Sequence, residues 1–460
     1  MDSEKKAFRQ SLRVIISEII MVITVIITVI VLALLVSGYW LNGNFEVERQ
    51  GMLQIHSIPT GATVAVDGDA PWFQRTNTSK VLSSGEHEIV LTKDGYDSWQ
   101  KTVNISEGLL YRVNYPRLFL LEREKKNFYD AASVLFATVS PDHNYMLLIN
   151  NTTGWTLLKL DSEEPKSSLV NIAKLTDFAS IAADTEIGLF TGEIVSADWD
   201  SSSSHILFRL KKDTIEEWLL VDVKNPAKSV NLTHEFGLGF DKIRIFDNSA
   251  NNLLALKDGN LRKIDVAGRQ ISGILAKNVV SFDYYNSEII YSTTETIAIM
   301  NNIDSEPTIL TTIDTPTKPY LSRFYDDKFI TLVSGDTVKL YKKDDFSEVL
   351  AESITFTPSK IKIGHDGGFV FLQSGEKVAV LDMEIMSIAE WQLDSLDYGW
   401  LDGNMLYSVK DGQLIVYDFD GLNRRILSAG VSPRFPVTIT NSKWLYYFLD
   451  NQIIRELIVQ

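Results

Sequence analysis

The residues of this 460-residue chain best suited to chemistry are its six histidines and its close pairs of acids. Imidazole ligates transition metals and moves protons near neutral pH, but metal sites recur at short, characteristic ligand spacings. His56, His87, His143, His205, His234 and His365 share no such spacing. His143, His205 and His365 fall at equivalent turns of separate repeats, where a polar side chain is simply tolerated. His87 lies in an alternating apolar stretch just after Gly85, which reads as a structural position. No cysteine occurs, so a thiolate metal site, a lipid anchor on cysteine and a disulfide framework are all excluded. Asp198/Asp200, Asp344/Asp345 and Asp394/Asp397 have the residue types of a glycosidase, which needs two carboxyls at a set separation. Each pair sits in a predicted turn of an acidic protein, so a solvated surface accounts for it. Asp67-x-Asp69 offers oxygen ligands for calcium, yet no EF-hand loop accompanies it and a hairpin turn explains both acids. No GxSxG elbow, HExxH helix, phosphate-binding loop or dinucleotide fingerprint is present. No catalytic, cofactor-binding or metal-binding residue is therefore assigned, and no cofactor is expected. The residues of a binding site are not identified by the sequence.

Charge narrows the partners. Lys and Arg number 44 against 60 Asp and Glu, a net charge of −16. Such a surface repels phosphate backbones, which excludes nucleic acid as a partner, and it disfavours docking on anionic lipid through a polybasic face.

The elements that must carry these residues begin with an uninterrupted apolar run, Ile19 to Tyr39, with no charged residue between Glu18 and Glu46. At about 1.5 Å per residue a helix of that length covers about 31 Å, the thickness of a bilayer's hydrocarbon core. The reading is a tail at 1–18 and a transmembrane helix at 19–40, with the membrane as a partner. Lys5, Lys6, Arg9 and Arg13 precede the run, whereas Glu46, Glu48 and Arg49 follow it. The positive-inside rule then puts the N-terminus in the cytoplasm and the remainder outside, as a single-pass protein of the cell membrane. Tyr39 and Trp40 suit the headgroup boundary. A cleaved signal peptide is the alternative, although the run is long for one and Val36-Ser37-Gly38-Tyr39 is a poor cleavage site.

From 51 to 117 the pattern alternates as half-buried strands do, broken at Pro59-Thr60-Gly61, Asp67-Gly68 and Lys93-Asp94-Gly95. The order Ser57-x-Pro59-x-Gly61-Ala62-x-Val64-x-Val66-Asp67-Gly68, then Leu82, Gly85-x-His87-x-Ile89, and Gly95-Tyr96 with Trp99, resembles the PEGA family of small all-β envelope domains. The resemblance implies an adhesion or spacer module and no catalytic residue. The family's usual Gly-x-Thr-Pro step is replaced here by DAPWFQRTNTSK, which implies a remodelled loop; Trp72 and Phe73 are expected to cover the small core, with an exposed contact site the alternative.

Beyond Glu124 one phrase recurs: turn residues, an apolar strand, a short turn, and a second strand. Copies start at Ser140, Asp200, Asp247, Tyr284, Tyr325, His365, Leu401 and Thr440. A unit of about forty residues made of short strands is the mark of a β-propeller, here at 118–460. Eight blades are expected, with seven the alternative because the interval before Asp200 is long. The last copy ends after three strands, and Arg117 to Glu122 (RLFLLE) is expected to supply the fourth. Gly154-Trp155 and Gly399-Trp400 are expected to pack between blades. Ser140-Pro141-Asp142 and the stretch Trp155 to Asp161 resemble, loosely, the propeller repeats of the periplasmic Tol-system protein. The fold class is thus an all-β ectodomain, a PEGA-like β-sandwich plus a β-propeller, behind one N-terminal transmembrane α-helix.

The expected function is extracytoplasmic binding or scaffolding in the cell envelope, with the propeller contacting a protein partner or cell-wall glycan. An extracytoplasmic hydrolase acting on glycan or peptide, its carboxylates converging in the propeller channel, is the alternative.

Overall fold

The computed structural model describes the chain except residues 1, 37–38, 42–46, 71–73, 151–153, 171–181, 185–188, 191–192, 247–249 and 365–366. Trp72, Phe73 and His365 therefore lie outside the described residues. The chain divides into two compact units, Met1–Leu121 and Glu122–Gln460.

The first unit opens with an α-helix, Asp2–Val36, whose window Ile16–Ala33 has a mean hydropathy of 2.8 and is wholly unburied. Its two threonine hydroxyls are satisfied within the helix: Thr24 Oγ1 donates to the Ile20 carbonyl and Thr28 Oγ1 to that of Thr24, each at 2.8 Å. This back-bonding lets threonine sit in an apolar helix without an orphaned polar group. The helix is a membrane anchor or a signal segment. It stops short of the expected residue 40. Tyr39–Leu41 is instead extended and pairs with Val47–Arg49, Trp40 opposite Glu48. The Ser37-Gly38 step, poor in helix propensity, precedes this change.

After the helix come two three-stranded sheets. In one, Gly51–Ile55 lies between Thr78–Leu82, antiparallel, and Leu110–Val113, parallel. In the other, Gly85–Thr92 lies between Thr63–Val66 and Trp99–Ile105. Their alternating residues turn Leu53, Ile55, Val64, Ile89, Leu91, Trp99 and Val103 into one shared core. Trp99 is fully buried, its ring edge-on to Tyr115 at 6.0 Å. The loop that departs from the family pattern is pinned by Thr76, whose hydroxyl meets Ser57 Oγ at 2.7 Å and the Ala62 amide at 3.0 Å.

Among the described residues the second unit holds eight four-stranded antiparallel sheets. Their first strands are Val134–Val139, Glu193–Trp199, Lys242–Ile245, Ser281–Tyr285, Thr317–Phe324, Lys360–Ile363, Tyr398–Trp400 and Thr438–Thr440, and the sheets are numbered 1 to 8 in that order. Second and third strands such as Tyr145–Asn150 and Gly154–Lys159 are buried on both faces. This is why they read as continuous apolar runs and not as alternation. Tight turns join them. Asp258-Gly259 and Asp411-Gly412 each place both residues at positive φ, the geometry of a two-residue hairpin whose twist matches its strands.

Each sheet packs on the next. Leu147, Ile149 and Trp155 of sheet 1 meet Ile206, Phe208 and Leu219 of sheet 2. Leu207 and Trp218 meet Ile243 and Leu253, and Leu254 meets Phe282 and Ile289. Ile290 meets Leu321 and Ile330, and Phe329 meets Val370 and Leu381. Phe369 of sheet 6 stacks on Phe419, just past the third strand of sheet 7, at 4.2 Å. Ser428 Oγ of sheet 7 donates to Tyr447 Oη of sheet 8 at 3.0 Å. Finally Tyr446, Phe448 and Ile453 of sheet 8 share a core with Met146, Leu148 and Leu158 of sheet 1.

The fourth strand of sheet 8 is Lys125–Asp130, antiparallel to Gln452–Leu457 with Asn127 opposite Ile454. It is not Arg117–Glu122 as the sequence reading expected. That stretch is held in the first unit, where the Leu118 amide donates to the Ile58 carbonyl at 2.8 Å, the Phe119 amide to Asp97 Oδ1 at 2.7 Å, and Leu118 is core. Its backbone groups are taken, so the next extended segment completes the sheet.

Candidate functional site

The first strands differ in character from the strands behind them. In Lys242-Ile243-Arg244-Ile245 the two isoleucines are buried in the core between sheets 2 and 3, while Lys242 and Arg244 alternate onto the other side. Lys360-Ile361-Lys362-Ile363 repeats the alternation in sheet 6, with its isoleucines half-buried and its lysines exposed. The first strands of sheets 3 to 6 carry six cations, Lys242, Arg244, Lys318, Arg323, Lys360 and Lys362, against one acid, Asp283. That is a local inversion of the protein's overall charge.

Three of these strands are joined through the one acid. Arg244 Nη2 lies 3.4 Å from Asp283 Oδ1, and Asp283 Oδ2 accepts from the Leu321 amide at 3.1 Å. Sheets 3, 4 and 5 thus meet at one carboxylate. Lys242 Nζ donates to the Phe282 carbonyl at 3.3 Å and stands 4.7 Å from that residue's ring centroid. Arg244 lies 5.5 Å over the ring of Tyr284, whose hydroxyl donates to the Ile245 carbonyl. The Asp283 side chain is 6% exposed and that of Arg244 41%, so the carboxylate anchors and the guanidinium faces open space.

The electrostatics extend the cluster further. Burial, then repulsion by Arg244, lowers the Lys242 ammonium to about 8, while Asp283 and Asp198 oppose the shift. Burial also lowers the Lys362 ammonium, against the attraction of Asp198. Burial pushes the Asp283 carboxyl up, against the pull of Arg244 and the Leu321 amide. Burial raises the Tyr320 phenol to about 12, with Asp283 adding to the shift, so it stays a protonated donor. Asp198 belongs to sheet 2 and Lys362 to sheet 6, four sheets apart in order, yet the charge of Asp198 reaches the Lys362 ammonium. The first strands of sheets 2 to 6 share one field.

The histidines are occupied elsewhere. His87 Nδ1 lies 2.6 Å from Asp67 Oδ2 and its Nε2 2.9 Å from the Ser83 carbonyl, while Asp67 Oδ1 also accepts from the Glu88 amide. The Asp67 carboxylate therefore braces a hairpin. His143 Nδ1 lies 2.6 Å from Thr438 Oγ1, joining sheets 1 and 8. His205 sits between Asp200, at 2.9 Å, and Asp222, at 3.6 Å. His56 lies beside Gln54, and His234 is in the short helix Leu232–Phe236.

Of the paired acids, Asp198 joins the first-strand field. Asp200 caps a turn through the Ser204 and His205 amides, Asp345 holds Ser347, and Asp394 is bound by Arg424 and Tyr417. Among the described residues no group of three or more His, Asp or Glu stands close enough to hold a metal. Trp155 is buried between sheets 1 and 2, and Trp400 packs edge-on to Phe371 of sheet 6 at 5.6 Å. The sequence reading missed Lys242, Arg244, Asp283, Lys318 and Lys362. The available signal was the pair KIRI and KIKI, each just ahead of an apolar repeat.

Fold and site thus define an all-β protein behind a single apolar N-terminal helix. Residues 50–117 match the PEGA domain family, so the first unit carries a PEGA domain. No curated protein matches the chain. Among solved structures it is similar to PorZ, described as an essential bacterial surface component of the type-IX secretion system of Porphyromonas gingivalis. The identity is 11% and the TM-score 0.42, over 70% of this chain and 42% of PorZ. It is also similar to two structures of Hsv2 from Kluyveromyces lactis, at 10% and 9% identity with TM-scores of 0.43 and 0.42. Both cover 64% of this chain and 98% of Hsv2. The chain thus spans less than half the length of PorZ.

Proposed function

We propose that the eight sheets are the blades of a propeller, and that the protein is a membrane-anchored, extracytoplasmic binding or scaffolding protein of the cell envelope. The observation that carries the reading is the packing order: every sheet contacts the next, and the eighth returns to the first. In that arrangement the first strands are the innermost, and the polar cluster on them lines the central channel. A sheet buried on both faces by its neighbours leaves few open edges, which suits a durable presenting surface. Orientation rests on Lys5, Lys6, Arg9 and Arg13 ahead of the apolar helix. The PEGA domain serves as spacer, and the partner is an envelope protein or cell-wall glycan.

The test is protease added to intact spheroplasts, followed by affinity capture with the full chain. Digestion of the C-terminal portion and recovery of one specific envelope component support the proposal. A C-terminal portion protected until the membrane is opened overturns the topology.

A further inference from the structure

The cation-rich first strands have a consequence that deepens the proposed binding role and rests on it. Within the shared field of sheets 2 to 6, the cations Lys242, Arg244, Lys318 and Lys362 stand against Asp198 and Asp283, with Asp200 acting on Tyr284. Asp283 is already committed to the Leu321 amide and Arg244. Lys242 has the Phe282 carbonyl and the face of that residue's ring as its partners. Neither Lys318 nor Lys362 makes a hydrogen bond or ion pair among the described residues. Like charges gathered on neighbouring strands repel one another, as Arg244 and Lys318 do Lys242, and that repulsion is relieved when a counter-ion enters.

The donor set also has a recognisable chemistry. Arg244 offers a planar fork, the lysines offer mobile point charges, and Tyr320 adds a protonated phenol, a combination that surrounds an oxyanion. The protein elsewhere carries excess negative charge, which drives anions away from most of its surface. We infer that the first-strand cluster of Lys242, Arg244, Lys318 and Lys362 is a binding site for an oxyanion, a phosphate or carboxylate carried by the ligand of the propeller. The anionic group enters end-on and replaces the missing counter-charge.

The test uses the full chain in detergent with three probes: inorganic phosphate, citrate and an uncharged disaccharide, followed by calorimetry. Saturable binding of phosphate, citrate or both is expected, with no heat from the sugar, and the stronger anion identifies the chemical source. Losing one charge-assisted contact corresponds to about a tenfold or greater weakening, which is the expectation for both Lys362→Gln and Lys318→Gln. These lysines are exposed, so the fold should survive, as an unchanged melting temperature would verify. Lys277→Gln, an exposed lysine outside the first strands, serves as control and should bind as the parent does. Because the chain has no cysteine, Asp198→Cys combined with Lys362→Cys tests convergence separately. A short thiol-reactive cross-linker should join them within one molecule. Cross-linking without binding of either anion overturns the inference and leaves the propeller standing. Absence of cross-linking overturns both. Binding unaffected by Lys362→Gln and Lys318→Gln means an adventitious ion only, and also overturns it.

Discussion

Replacing Glu456 by Ala should loosen the joint that completes the second unit. Its side chain is fully buried and accepts from Arg123 Nε at 2.6 Å and Tyr447 Oη at 2.8 Å, with Lys125 Nζ at 3.8 Å. Arg123 also donates to the Leu427 carbonyl, and Lys125 to Ser428 Oγ at 2.8 Å. One carboxylate therefore ties the entering segment to both sheet 8 and the last strand of sheet 7. Truncation removes the acceptor and leaves a guanidinium that is only 19% exposed without its counter-charge. Breaking a buried pair from one side costs about 3–5 kcal/mol, set against a typical total of about 5–15 kcal/mol. With a urea m-value of about 3 kcal/mol/M, the midpoint should fall by roughly 1 M or more. Tyr447→Phe, which removes the hydrogen bonds to Glu456 and from Ser428 and leaves the ion pair intact, should cost about 1–3 kcal/mol. Lys126→Ala breaks the exposed pair with Glu164 at 2.8 Å and should change stability by less than about 1 kcal/mol. Urea titrations followed by tryptophan fluorescence would rank the three variants. The reasoning fails if Glu456→Ala falls no further than Lys126→Ala.

In the PEGA domain, Trp99→Ala empties the centre of the core and should cost about 3–5 kcal/mol, read as a lower unfolding midpoint for that unit. Gly51→Ala should also destabilise it, because a Cβ there would meet Ile105 Cγ2 at 2.4 Å and the Ser106 carbonyl at 2.5 Å; thermal melts would detect the loss. The Asp67–His87 pair should make stability pH-dependent. The His87 hydrogen bond, then that of the Glu88 amide, holds the Asp67 carboxyl below its usual range. Burial opposes charge on His87, yet Asp67 and the Ser83 carbonyl raise it overall. The Asp67 contribution is lost as pH falls through its lowered value, and the His87 contribution as pH rises through its raised one. The pair thus stabilises most between about pH 4 and 6.5, and His87→Gln should lower the urea midpoint within that window and weaken its decline on either side. Ile26→Lys in the apolar helix should cost about 2.5–3.5 kcal/mol of insertion, seen as protein lost from the membrane fraction.

Local patterns were legible in the sequence because local physics writes them. An apolar run as long as a bilayer's hydrocarbon core is thick forms a helix whether it anchors or signals, and it is a helix through Val36. Asp-Gly pairs accept positive φ cheaply, so the hairpin turns, and with them the recurrence of paired strands, stand out residue by residue. The Gly, Pro and aromatic order of residues 50–117 belongs to the same class of signal. Tertiary structure decided the rest. RLFLLE and KKNFYD are both short extended segments, and nothing in either says which completes sheet 8. That choice fell to Lys125–Asp130 because Ile58 and Asp97 had already taken the backbone of the first. The Lys242/Arg244 pair, Asp283 and Lys362 are separated along the chain by far more than any motif spans. Their shared field arises from the stacking of separate sheets, and a sequence records neighbours along a chain, not across a fold.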